Sequence, residues 1–109
     1  MATLISLGAN LGQPAITLSQ AREQLKHCFA GDSITFSDNY RTPAIGGPDG
    51  QQDFLNACAL VDTPRSPYEV WQLLQQVEQE LGRQRRRRWE ARRIDLDVLL
   101  ADHQKIWTP

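Results

Sequence analysis

The segment 94–100, IDLDVLL, alternates apolar and acidic residues at its start, and this pattern constrains the fold more than any other in the chain. Successive side chains along a β-strand project to opposite faces of the sheet. Asp95 and Asp97 are therefore predicted to project from one face, while the apolar residues beside them project from the other. The pattern indicates a sheet with one buried face and one polar face.

Three further strands are indicated by apolar runs. Residues 3–7 are predicted to form a short buried strand, and residues 34–40 a second strand in which apolar and polar residues alternate. Residues 54–61, FLNACALV, are predicted to form a third strand. Asn56 is a polar amide between apolar neighbours in that strand, so it needs a hydrogen-bond partner from the backbone, a side chain or a ligand.

Two helices are predicted between these strands. Pro14 suits the first turn of one helix, and the sequence Ser66-Pro67-Tyr68-Glu69 is a capping box that begins the other. Gly31 and Gly82 are the expected helix ends. The residues expected on the two core faces are Leu18, Ala21, Leu25 and Cys28 or Phe29 in the first helix, and Val70, Leu73 or Leu74, Val77 and Leu81 in the second.

The predicted order of elements is β-α-β-β-α-β. This order indicates an α+β, ferredoxin-like fold, in which two helices cover one face of an antiparallel four-stranded sheet. Residues 105–107 are predicted to add a short return strand. Residues 1–109 are expected to form a single domain, because a chain of this length can bury a core of its own.

Composition is that of an ordinary globular protein. Of the 109 residues, 40% are apolar and 23% are charged, and the formal net charge is −1. No segment is long and apolar enough for a membrane helix, and the first residues lack the regions of a signal peptide. Cys28 and Cys58 have no metal-binding spacing and are predicted to be reduced core residues. We therefore expect a cytoplasmic protein that does not bind a membrane.

Seven of the twelve basic residues lie in the segment 83–93, directly before the two aspartates. Arginine donates planar, bidentate hydrogen bonds that suit phosphate oxygens. Paired carboxylates are typical ligands of a magnesium ion that also binds substrate phosphates. Magnesium on Asp95 and Asp97, with Arg83 and Arg92 nearby, would form an electrostatic frame for phosphoryl transfer. The arginine-rich segment is also compatible with a solvated loop or a nucleic-acid-binding arm.

Four ordered motifs resemble those of a known enzyme family. They are LGANLG at 7–12, YRTPAIG at 40–46, QDFLNA at 52–57 and RRIDLDVLL at 92–100. In order and spacing they resemble 6-hydroxymethyl-7,8-dihydropterin pyrophosphokinase of folate biosynthesis, across essentially the whole chain. The resemblance implies an ATP-dependent diphosphotransferase. Such an enzyme transfers diphosphate from MgATP to the hydroxymethyl group of the dihydropterin and releases AMP.

The resemblance also implies particular residues for metal and nucleotide. Asp95 and Asp97 would hold two Mg²⁺ ions and would act as catalytic residues together with Arg83 and Arg92. The residues implied on the ATP side are Gln75, Glu78, Arg83, Arg85, Arg88, Trp89, Arg92 and Val98.

A pterin pocket is implied by the same motifs. The ring of Phe54 would stack on the flat pterin, and Asn56 would form hydrogen bonds with its polar edge. The residues implied in this pocket are Gly8, Thr42, Pro43, Ala44, Phe54, Asn56 and Asp95.

Two other functions are open at this stage. One is a ferredoxin-like RNA-binding module that uses the arginine-rich segment, although the acidic strand face would repel phosphate unless a metal is bound. The other is a non-catalytic or impaired ligand-binding remnant, because the family continues for several dozen residues beyond the position of Pro109. If the protein ends there, we expect folding, weak ligand binding and reduced or absent activity. The expected partners are small-molecule substrates, without nucleic acid, and the expected state is a monomer or weak dimer.

Overall fold

The computed structural model describes residues 2–10, 12–43, 53–82, 94–101 and 104–105. The elements in this part of the chain are β1 (Ala2–Ala9), α1 (Pro14–Cys28), β2 (Ser33–Phe36), β3 (Tyr40–Thr42), β4 (Phe54–Asp62), α2 (Pro67–Gly82), β5 (Asp95–Ala101) and β6 (Gln104–Lys105). The strands form one antiparallel sheet in the order β2-β4-β1-β5-β6, and β3 also pairs with β4.

This topology confirms the predicted α+β, ferredoxin-like fold. The four predicted strands are present, and the two inner positions are occupied by β1 and β4. The described sheet has six strands rather than four, because the predicted second strand is divided into β2 and β3 and because β6 follows β5. The return strand predicted at 105–107 begins one residue earlier, at Gln104, and residues 106–109 lie outside the described residues.

The hydrophobic core lies between the two helices and one face of the sheet. Alternate residues of β1, β4 and β5 are buried on this face, as the sequence pattern predicts. The buried residues from the sheet are Ile5, Leu7, Ala9, Ala57, Ala59, Val61, Leu96 and Val98, and those from the helices are Leu18, Ala21, Leu25, Val70, Leu74 and Val77. None of the helices in the described ranges is long and apolar enough to cross a membrane.

Local signals set the helix boundaries. The backbone N–H of Ser66 donates to Glu69 Oε1 at 2.8 Å, and the backbone N–H of Glu69 donates to Ser66 Oγ at 3.2 Å, which confirms the predicted capping box. Pro14 occupies the first turn of α1. Gly31 follows this helix with a φ of 93°, a left-handed conformation that glycine adopts without steric cost.

A one-residue bulge separates β2 from β3. Phe36 pairs with Ala59, whereas Tyr40 pairs with Asn56, so the three residues 37–39 lie opposite only two residues of β4. The extra residue changes the face to which the following side chains project, and it places Tyr40 on the same face as Asn56. The uninterrupted strand expected from the sequence is therefore wrong at this point.

Backbone and side-chain hydrogen bonds replace the missing ladder contacts at the bulge. Ser37 N donates to the Cys58 carbonyl at 2.8 Å, and Cys58 N donates to Ser37 Oγ at 2.9 Å. From α1, the guanidinium of Arg22 donates to the Ser37 carbonyl at 3.1 Å and to the side-chain oxygen of Asn39. The bulge is thereby attached to the helix layer.

The two cysteines differ in position, and both are free thiols. Cys28 packs against the core, and burial raises the pKa of its thiol while the nearby Arg65 guanidinium partly opposes the shift. Cys58 is half-buried on the face away from the helices, so its predicted place in the core is wrong. The reason is the strand alternation, which puts Cys58 on the same face as Asn56.

Replacing Thr3 by valine tests the packing of the core. Thr3 is 0% exposed, and its hydroxyl has no hydrogen-bond partner among the described residues. A buried hydroxyl without a partner costs free energy, and valine has nearly the same shape. We expect Thr3→Val to raise the free energy of unfolding by about 1 kcal/mol in urea denaturation. The control is Thr35→Val, a change at an exposed strand position. A loss of stability in Thr3→Val alone would show that the hydroxyl is bonded.

Candidate functional site

The sheet face opposite the helices, here called the open face, brings together residues from four strands. Gly8 of β1 pairs with Asn56 of β4 on one side and with Asp95 of β5 on the other. Asn56 pairs in turn with Tyr40 of β3. Directly paired residues project to the same face, with Cβ atoms about 5 Å apart. Tyr40, Asn56, Gly8 and Asp95 therefore form one row across the open face.

A parallel row lies on each side of the first. Ser6 pairs with both Cys58 and Asp97, and Asp97 lies two residues along β5 from Asp95. On the other side, Thr42 pairs with Phe54. Two residues along a strand correspond to about 7 Å. The open face thus collects six of the residues implied by the sequence motifs: Gly8, Thr42, Phe54, Asn56, Asp95 and Asp97.

The carboxamide of Asn56 is held in one orientation. Its Nδ2 donates to Thr42 Oγ1 at 2.8 Å, which supplies the partner that a half-buried amide requires. A Cβ atom added to Gly8 would lie 3.1 Å from Asn56 Oδ1, so the amide oxygen lies close above the Gly8 backbone. Glycine at this position leaves room for the amide. The remaining N–H of Nδ2 and the Oδ1 atom form a donor–acceptor pair suited to the edge of a planar heterocycle.

Asp95 and Asp97 fit a magnesium ion that arrives with a phosphate ligand. Both aspartates are exposed on the same face, and Gly8 has no side chain to fill the space beside Asp95. In the part of the chain that the structure describes, no group of three or more His, Cys, Asp or Glu side chains could hold a metal by itself. Magnesium typically binds one or two carboxylates and completes its shell with water and substrate phosphates. The two aspartates match this donor set.

Helix α2 contributes to β5 through a side chain. The Leu96 backbone N–H, between the two aspartates, donates to Glu78 Oε2 at 2.7 Å. Glu78 was implied on the ATP side, and it lies in the helix layer on the edge of β5. Gln75, one turn earlier, is half-buried on the same helix. Both residues therefore lie in the helix layer, on the side of the sheet opposite the open face.

The other predicted residues have three outcomes. The side chain of Val98 is 2% exposed and belongs to the core, because strand alternation directs it towards the helices, so the predicted contact of Val98 with ATP would involve its backbone. Pro43 directly follows β3 and is exposed. The remaining predicted residues, Ala44, Arg83, Arg85, Arg88, Trp89 and Arg92, lie outside the described residues.

Tyr40, Ser6 and Cys58 lie on the open face but are not among the site residues predicted from the sequence. Tyr40 lies in the row of Asn56, and its hydroxyl is 3.8 Å from the Cys58 sulfur, a contact that raises the pKa of the Tyr40 phenol. Ser6 lies between Cys58 and Asp97. The signal for Ser6 was its position two residues before Gly8, since alternate strand residues share a face.

Comparison with known proteins shows the family of the chain. The family model described as 7,8-dihydro-6-hydroxymethylpterin-pyrophosphokinase (HPPK) matches residues 4–109. The chain belongs to the HPPK family. The resemblance inferred from the four sequence motifs is therefore confirmed at the level of the family.

Three curated relatives in the HPPK family share about two fifths of the aligned residues. The chain is 37% identical over 102 residues to the protein from Haemophilus influenzae, 41% over 105 residues to that from Bacillus subtilis and 40% over 102 residues to that from Methylorubrum extorquens. Each is named 2-amino-4-hydroxy-6-hydroxymethyldihydropteridine pyrophosphokinase. The alignments cover 94%, 95% and 94% of this chain, and 63%, 62% and 64% of the relatives. The chain thus spans less than two thirds of the length of these relatives.

Substitution of Thr42 tests the orientation of the Asn56 amide. We expect Thr42→Val to remove the acceptor of Nδ2, shift the Asn56 side-chain amide resonances in ¹⁵N NMR spectra and lower the free energy of unfolding by about 1 kcal/mol. Thr42→Ser keeps a hydroxyl and should retain resonances close to those of the wild type. Unchanged Asn56 resonances in Thr42→Val would show that the hydrogen bond does not form in solution.

Proposed function

We propose that this chain carries the pterin- and magnesium-binding face of a diphosphotransferase. The enzyme would transfer diphosphate from ATP to the hydroxyl of 6-hydroxymethyl-7,8-dihydropterin and release AMP. The observation that carries the proposal is the row formed by Asn56, Gly8 and Asp95 in a chain of the HPPK family. This row places an amide suited to a heterocycle and a carboxylate suited to a metal–phosphate complex on the two strands that flank Gly8.

The proposed reaction needs positioning and charge stabilisation rather than a protein nucleophile. The hydroxyl oxygen of the pterin attacks the β-phosphorus of ATP, and the bond from that phosphorus to the oxygen bridging to the α-phosphorus breaks. AMP leaves with the bridging oxygen, and the proton of the pterin hydroxyl passes to water or to the AMP phosphate. The enzyme must hold the hydroxyl in line with the breaking bond and offset the negative charge of the phosphates.

The pterin is proposed to lie across the row that contains Asn56. Phe54 is half-buried beside this row and offers a ring for stacking, while the Asn56 amide presents its donor and acceptor to the polar edge of the ring system. Thr42 supports this role because it orients the amide. Pro43 and Ala44 follow Thr42 directly and are proposed to line the same pocket.

Asp95 and Asp97 are proposed to hold two Mg²⁺ ions. When bound, the ions would neutralise charge on the phosphate oxygens and align the phosphates. The first aspartate shares a row with Gly8 and Asn56, so the proposed metal position and the proposed pterin position are adjacent. This adjacency supports a transfer between the two ligands.

The nucleotide is proposed to lie at the outer edge of β5. Helix α2 ends at Gly82 and β5 begins at Asp95, so the arginine-rich segment leads from the helix layer into the first aspartate. The residues proposed to contact ATP from this region are Gln75, Glu78, Arg83, Arg85, Arg88, Trp89 and Arg92. We also propose that the protein acts in the cytoplasm, a reducing compartment in which free thiols such as those of Cys28 and Cys58 persist.

Neutralising the aspartates tests the proposed metal site. We expect Mg²⁺ and α,β-methylene-ATP to stabilise the wild-type protein together in thermal unfolding. Asp95→Asn and Asp97→Asn should each weaken this magnesium-dependent binding at least about tenfold, a loss of about 1.4 kcal/mol, because each removes a charged ligand. The control is Asp62→Asn. It removes the same charge from an exposed position at the end of β4 that is far from Phe54 and Asn56.

Turnover is measured separately, as AMP released from ATP and the pterin alcohol. Turnover that depends on both aspartates would support the full proposal. Binding of both ligands without AMP release would support a non-catalytic member of the family instead. Salt-sensitive binding of generic RNA that is unaffected by Asp95→Asn, with no magnesium-dependent nucleotide binding, would contradict the proposal.

Substitution of Gly8 tests the pterin side. A Cβ at this position would meet Asn56 Oδ1 at 3.1 Å, so the amide must move by a few tenths of an ångström in Gly8→Ala. We expect the affinity for the pterin to fall about tenfold, measured by isothermal titration calorimetry, because misaligned hydrogen bonds lose about 1.4 kcal/mol.

The matched control is Gly82→Ala at the end of α2, where an added Cβ would have no atom within 4 Å. Its pterin affinity should stay within about twofold of the wild type. Equal pterin affinity in Gly8→Ala and the wild type would contradict the proposed position of the pterin.

A further inference from the structure

The hydrogen bond between Leu96 and Glu78 lies at an edge of the sheet. β6 pairs with β5 only at Leu100 and Ala101, so within the described residues no strand pairs with the outer edge of β5 at the two aspartates. A backbone N–H at such an edge is normally left to water. Here the Glu78 carboxylate accepts it at 2.7 Å, in a partly buried position. Hydrogen bonds to an ionised carboxylate are shorter and stronger than those between neutral groups.

The bonded N–H belongs to the peptide bond between Asp95 and Leu96. The Leu96 side chain is 1% exposed and packs in the core, while Asp95 and Asp97 project to the open face. Leu96 is therefore held from the helix side by its side chain and at the strand edge by its N–H. Because peptide units are planar, fixing this N–H also fixes the carbonyl of Asp95 and the direction in which β5 begins.

We propose that Glu78 is a positioning residue for the divalent-cation site. It acts through the Leu96 backbone, which it holds so that the carboxylates of Asp95 and Asp97 keep a spacing at which they share cations. This inference rests on the proposed magnesium site, and it gives Glu78 a role in addition to the proposed contact with ATP. Mutual repulsion of two neighbouring carboxylates favours their separation, so a fixed backbone between them lowers the cost of bringing them to one cation.

Three substitutions separate positioning from charge. Glu78→Gln keeps the acceptor and the side-chain length but removes the charge. Glu78→Asp keeps the charge but is one methylene shorter and does not reach the Leu96 N–H. Glu78→Ala removes both. The control is Glu80→Ala, an exposed glutamate on the same helix. If Glu78→Ala does not fold, the comparison of the first two variants still decides the question.

The first measurement is amide hydrogen exchange in the ligand-free protein. We expect exchange of the Leu96 N–H to be at least about tenfold faster in Glu78→Ala and Glu78→Asp, and close to the wild-type rate in Glu78→Gln and Glu80→Ala. Equal Leu96 protection in all variants would overturn the proposal, because the hydrogen bond would then not hold the strand edge.

The second measurement is binding of Mn²⁺ alone, a paramagnetic substitute for Mg²⁺. It is followed by broadening of the amide signals of Gly8 and Ser6, the β1 residues paired with Asp95 and Asp97. We expect the Mn²⁺ concentration for half-maximal broadening to rise at least about fivefold in Glu78→Ala and Glu78→Asp, and less than about twofold in Glu78→Gln. Nucleotide is absent, so a residue that only contacts ATP would leave every midpoint unchanged and would overturn the proposal. A larger loss of Mn²⁺ affinity in Glu78→Gln than in Glu78→Asp would also overturn the proposal, since the charge of Glu78 would then affect Mn²⁺ binding more than its hydrogen bond to Leu96 does.

The wild-type protein distinguishes this failure from that of the proposed function. If Mn²⁺ broadens the Gly8 and Ser6 signals in the wild type but not in Asp95→Asn, the cation site stands whatever the Glu78 variants show. If Mn²⁺ broadens neither signal in the wild type, the proposed metal site is wrong and the positioning role is overturned with it.

Discussion

The double pairing of Gly8 with Asn56 and Asp95 is the constraint on which the candidate site depends. A shift of one residue in either ladder would move every side chain of the shifted strand to the other face. The core prevents such a shift, because the residues that flank Gly8, Leu7 and Ala9, are buried against the helices. A slipped strand would expose these apolar side chains and would bring carboxylates into the core, where charge is costly. Burial of the apolar face thus keeps the strands in the register that places the polar side chains together on the open face.

Much of this arrangement could be predicted from local patterns. Alternation along β5 placed Asp95 and Asp97 together, and the same rule separated Asn56 from its buried neighbours. The capping box at Ser66 predicted the start of α2 because its two hydrogen bonds are local. These features depend on residues close in sequence, where spacing and geometry are directly related. The family motifs then predicted one shared site for residues on different strands, although no local pattern determines how those strands pair.

The remaining features depend on contacts between distant residues. Nothing in the periodicity of 33–42 shows that one residue in 37–39 is left over, because both halves alternate regularly. The bulge appears only when β4 is placed beside them, and it directs Thr42 towards Asn56. Glu78 likewise looks like any polar residue on a helix, and its partner at Leu96 is 18 residues away.

At both edges of the sheet near the site, a charged side chain from a helix bonds the strand backbone. On one edge, Arg22 of α1 bonds the bulge at Ser37; on the other, Glu78 of α2 bonds β5 at Leu96. Each helix therefore contacts one edge of the sheet through one charged side chain, which is positive in α1 and negative in α2. The ladders between β4, β1 and β5 set the distance between the two edges, and these two side chains join the edges to the helix layer. A core substitution that moved either helix would therefore be expected to disturb the backbone of the open face at Ser37 or Leu96, although it lies on the far side of the sheet.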